Sequence, residues 1–155
     1  MTYQEKKGLT NIISSILITT IYGIIMYQRY LNGAIDDSNI FKFWAIIILI
    51  FIPISIVARI IIMIIFHIIE SVVQAAQGKE LEDELDSVDE RDKLIQMKSN
   101  SIAMYIFSLG FIIALATQLF DVSNHLFFIV MIIFGLLTDV VSESLMIRYY
   151  RRGIF

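Results

Sequence analysis

The chain contains no cysteine, so disulfides, thiolate metal sites and cysteine nucleophiles are excluded together. It has a single proline, Pro53, and only two histidines, His67 and His125, which leaves little material for a histidine-based metal site or proton relay. Charged residues make up 17% of the sequence, well below the roughly 25% usual for a soluble domain. No basic stripe runs through it, so nucleic acid is not expected as a partner. Gly-x-Ser-x-Gly, His-Glu-x-x-His and glycine-rich phosphate loops are all missing. The expectation is therefore no catalytic residue, no metal set and no cofactor, and a chain that is not an enzyme.

What the sequence has instead is hydrocarbon. Of its 155 residues 57% are hydrophobic, and the mean hydropathy is +0.76, too apolar for a water-shielded core in a chain of this length. The apolar residues fall into long runs, each near the ~20 residues that an α-helix needs to cross a bilayer. The expected fold is all-α: a polytopic four-transmembrane-helix bundle forming a single membrane domain over residues 1–155, with helices at about 9–31, 41–77, 88–120 and 125–152. The first run follows Lys6 and Lys7 as a signal peptide would, but it is long and ends in Met26-Tyr27-Gln28-Arg29-Tyr30 without a small-residue cleavage site, so it reads as a retained helix. The second contains Pro53, Arg59 and His67 and exceeds the bilayer thickness, so it should kink, tilt or project into the cytoplasm.

An acidic loop at about 78–98 separates the halves. Within it Ser87-Val88-Asp89-Glu90 has the form of a capping box, which marks a helix start, and Asp89 with Lys93 forms an i,i+4 pair. Gly153 suits the positive-φ residue that commonly ends a helix. Lys and Arg are retained on the cytoplasmic side of membrane helices. Lys6, Lys7, Lys79, Arg91, Lys93, Lys98, Arg148, Arg151 and Arg152 fall on one side and only Arg29 and Lys42 on the other. This predicts both termini inside, in a multi-pass membrane protein. Asp37-Ser38-Asn39 and Asp121-Val122-Ser123-Asn124, each opening an aromatic-rich run, also suggest two parallel helix-hairpin repeats related by an axis along the membrane normal.

Several polar groups stand out against this background. Arg59 lies inside the second run, and an intramembrane charge costs ~2.5–3.5 kcal/mol or more unless it meets a partner or water. Asp139 and Glu143, spaced i,i+4 on one face of the fourth helix, are its candidate partners; snorkelling of Arg59 to the inner headgroups is the alternative. His67 and Glu70 share a helix face but lack the further carboxylates that a di-iron bundle uses, so a helix end in water is the simpler reading. His125 is expected to be solvated at the outer interface. Thr10, Asn11, Ser14, Ser15 and Thr19 on the first helix, and Asn100, Ser101, Ser108 and Gly110 on the third, look like small-residue packing faces.

At Asp89-Glu90-Arg91-Asp92-Lys93-Leu94-Ile95 and Tyr149-Tyr150-Arg151-Arg152-Gly153 the sequence resembles an uncharacterised family of small prokaryotic membrane proteins. The resemblance covers mainly the C-terminal half and implies a four-helix fold in the cell membrane of a prokaryote, its inner membrane. It also implies that Asp89, Glu90, Arg91 and Asp92 form a cytoplasmic interaction segment with Arg148, Arg151 and Arg152. Two function classes follow. One is a non-enzymatic membrane interaction or regulatory module whose partners are the lipid bilayer, a cytoplasmic protein or a second copy. The other is a small oligomeric transporter or channel for a cation or proton, using the acids of the fourth helix.

Overall fold

The computed structural model describes residues 2–33, 39–76, 90–120 and 123–153. They form four helices: α1 (Tyr3–Leu31), α2 (Ile40–Ala76), α3 (Glu90–Thr117) and α4 (His125–Arg152). All four are long and apolar enough to cross a membrane. No strand occurs among the described residues. The all-α four-helix bundle expected from the hydropathy pattern is the fold observed.

The ends of α2 and α4 fall where the apolar runs place them, whereas α1 begins nearly two turns earlier than its run. The cause is polar: Thr2 and Glu5 form a capping box, the Glu5 amide donating to Thr2 Oγ1 at 3.4 Å and the Thr2 amide to Glu5 Oε2 at 3.2 Å. At the other end α3 stops at Thr117, and residues 118–120 tighten into i→i−3 hydrogen bonds. Ser87 and Asp89, and with them the cap expected for α3 and the Asp89–Lys93 pair, lie outside the described residues, as does most of the acidic loop. α2 continues through Pro53 for 37 residues, about 55 Å at 1.5 Å per residue, and so overreaches a ~30 Å hydrocarbon core. Gly153 ends α4 at φ 83°, its N–H donating to the Tyr149 carbonyl at 2.9 Å.

Neighbouring helices are antiparallel, in the spatial order α2, α1, α4, α3. The α3–α4 contact is the most intimate, because α3 turns a face of Ile95, Ser99, Ala103, Gly110 and Ala114 toward α4. At Gly110 the approach is so close that a Cβ would stand 2.2 Å from Phe134 Cγ. The small-residue face expected on α3 is therefore rotated from its predicted position: Ser101 and Ser108 point outward, and only Gly110 of the predicted set is buried. On α1 the prediction fares better, with Ser14 and Ser15 buried alongside Gly8. The arrangement also corrects the idea of a repeat. A two-fold axis would pack α2 on α3 as α1 packs on α4, and no comparable α2–α3 approach exists among the described residues.

Candidate functional site: the polar end and the charges between the helices

Polar side chains gather at the end of the bundle that carries both termini and the α2–α3 connection. There α1 is tied to two helices at once. Lys6 Nζ lies 2.6 Å from Glu70 Oε1 on α2, and Arg151 Nε on α4 donates to Glu5 Oε1 at 2.9 Å. Tyr3 Oη and His67 Nδ1 share a hydrogen bond of 2.8 Å. These contacts exist because α1 extends past its apolar run, so that its first turn lies level with the overreaching end of α2. His67 and Glu70 are thus not a free helix end in water, as their spacing suggested; Glu70 is buried against Lys6. No group of three or more metal-ligating side chains occurs among the described residues.

Of the residues expected to join the entry of α3 to the exit of α4, Asp92 makes a contact with α4, and its partner is Tyr150. Tyr150 Oη donates to Asp92 Oδ1 at 2.9 Å, and Lys98 Nζ sits 5.3 Å from the centre of the Tyr149 ring. Arg151 turns the opposite way, to Glu5. Arg91, Arg148 and Arg152 are exposed on the same end, Glu90 is exposed at the start of α3, and Asp89 lies outside the described residues.

Deeper in the bundle, Arg59 pairs with Asp139, its Nη2 donating to Asp139 Oδ2. Arg59 turns to Asp139 and makes no hydrogen bond with Glu143. That carboxylate, one turn closer to the polar end, belongs to the α1–α4 contact: Asn11 Nδ2 donates to Glu143 Oε1 at 2.8 Å. Glu143 Oε2 is buried without a hydrogen-bond partner, beside Gly8. On the far side of α4, Ser142 Oγ donates to Asn100 Oδ1 at 2.6 Å. The two acids of α4 therefore serve different neighbours, Asp139 facing α2 and Glu143 facing α1.

The opposite end is aromatic. Trp44 Nε1 donates to His125 Nδ1 at 3.0 Å, Trp44 stacks on Phe128 at 5.4 Å between centroids, and Phe43 meets His125 edge-on. His125 is thus an acceptor within an aromatic cluster and not a solvated histidine. Beside the cluster α1, α2 and α4 form an open-sided cavity of about 600 Å³ lined by Tyr22, Met26, Ile47, Phe51 and Ile132 among others. Its walls are mostly apolar, and Tyr22 spends its hydroxyl on the Ile47 carbonyl at 2.6 Å. Such a chamber offers mainly hydrocarbon contact, with Thr19 and His125 among the few polar side chains on its wall.

No family model, no curated protein and no solved structure matches the chain.

Proposed function

We propose that the protein is a non-enzymatic interaction or regulatory module of a prokaryotic inner membrane, with both termini and the polar end in the cytoplasm. One observation carries the reading: cross-helix polar contacts at that end involve all four helices, while Arg148 and Arg152 stay exposed beside them. A fixed, charged platform of this kind suits a protein partner. The paired state of Asp139 points the same way, since a conducting pathway needs its acids wet and titratable.

A photo-crosslinking residue at position 152 tests this in intact cells. The expected result is an adduct with a defined cytoplasmic protein, abolished by Arg148→Glu and not formed by the same probe at Tyr105, which lies on the lipid-facing side of α3. No adduct at 152, or the same adducts from both positions, would count against a specific platform. The second reading, a cation or proton carrier, draws on Glu143 Oε2, a buried carboxylate oxygen without a partner. It requires ion flux that Glu143→Gln removes.

A further inference from the structure

The Arg59–Asp139 pair is in an unusual place. Glu70 lies eleven positions beyond Arg59 on α2, and Arg151 twelve positions beyond Asp139 on α4, so at ~1.5 Å per residue the pair lies roughly 16–18 Å from the layer of cytoplasmic ion pairs. In a hydrocarbon core ~30 Å thick that is close to the midplane. Yet the two side chains are 47% and 44% exposed. Ionised groups at this depth normally face the bundle interior, a partner or water. Here they pair with each other on the outer flank between α2 and α4, and half of each remains uncovered by the chain.

What surrounds the pair is suited to close approach by another helix. Gly135 is one turn from Asp139 on the same face of α4, and a Cβ built there meets nothing within 4 Å. Ser55 is one turn from Arg59 on α2, its hydroxyl turned back to the Ile52 carbonyl at 2.8 Å. Ile52 and Ile56, both about half exposed, complete the patch. Small residues at membrane helix interfaces let backbones meet, and interhelical polar contacts add to the attachment.

We infer that this flank is the contact between two copies of the chain, related by a two-fold axis along the membrane normal, with Arg59 and Asp139 of one copy facing Asp139 and Arg59 of the other. The charge pattern selects the occupant. An antiparallel pair of ion pairs is self-complementary under a two-fold operation, whereas lipid chains offer these charges nothing. The arrangement doubles the number of opposite charges near each ionised group and removes its exposed half from hydrocarbon. It leaves the cytoplasmic ends of both copies side by side, whatever those ends bind.

The absence of cysteine makes the test direct. Ser55→Cys and, at a similar depth on the far side of the bundle, Tyr105→Cys are each placed in an otherwise unchanged full-length chain, in phospholipid vesicles at decreasing protein-to-lipid ratio. A short bismaleimide is expected to crosslink the Ser55→Cys chain to a dimer and to leave the Tyr105→Cys chain monomeric. Adding Arg59→Leu with Asp139→Leu to Ser55→Cys should lower the dimer fraction constant roughly 3- to 20-fold, the worth of an interhelical polar contact in a membrane. The double change removes both charges together and so leaves no unpaired ion to unfold the chain. Equal crosslinking at both positions, a Ser55→Cys chain that stays monomeric, or labelling of that cysteine by a membrane-impermeant thiol reagent, which would mean that water covers the pair, would each overturn the inference.

Discussion

At the scale of single residues the glycines separate cleanly by what lies beyond them. Gly110 has no room: an added methyl would fall 2.2–2.5 Å from three atoms of Phe134, including its Cβ, so the ring cannot simply swing away. Gly110→Ala should therefore destabilise the α3–α4 contact by ~1–3 kcal/mol, the usual range for overpacking, read as a shift in unfolding by SDS in mixed micelles. Gly23 is the counterpart, since nothing lies within 4 Å of a Cβ there. Gly23→Ala should be neutral or stabilise by up to ~1 kcal/mol through helix propensity. Hydropathy made neither difference visible, because both glycines sit in apolar runs and only the packing distinguishes them. The same limit explains why Ser101 and Ser108 point away from the face expected of them: from Ser99 onward almost every residue of α3 is apolar or small, so no periodicity fixes its rotation.

Helices were the most legible element, and their ends the least. Length and hydropathy place α2 and α4 to within a residue, because a run of ~20 apolar residues has few other structures open to it in a bilayer. The start of α1 was misplaced because hydropathy stops at Leu9, while the chain continues helical on polar grounds. The signal was present in Thr2-Tyr3-Gln4-Glu5, which has the same S/T-x-x-E form as the run recognised at Ser87. What no local pattern could supply was that this extension would meet the overlong α2. Lys6→Met tests that junction. It leaves Glu70, whose side chain is 12% exposed, without its cation, whereas Glu70→Gln leaves Lys6, 38% exposed, free to turn to water. Lys6→Met should be the more destabilising change. A double-mutant cycle on the pair should return a coupling of ~1 kcal/mol or less, as for partly solvated ion pairs.

For the whole molecule, the sequence identified Arg59, Asp139 and Glu143 as the intramembrane polar groups but could not assign partners. Spacing i,i+4 places two acids on one helix face without saying which neighbouring helix that face meets; in the fold Glu143 lies in the α1–α4 contact while Asp139 reaches past it to Arg59 on α2, and the two carboxylates part company. Orientation rests on the distribution of Lys and Arg and has its own test. Reporters fused after Gly78 and within residues 36–39 should report opposite sides of the membrane, the first cytoplasmic, and a result placing both on one side would break the four-span topology. The central claim is that the acids of α4 hold helices together and carry no ions. Proteoliposome flux of H⁺, Na⁺ and K⁺, compared for the native chain, Glu143→Gln and Asp139→Asn, tests it most directly. The account predicts no flux above protein-free vesicles in any of the three, and flux in the native chain that Glu143→Gln abolishes would contradict it.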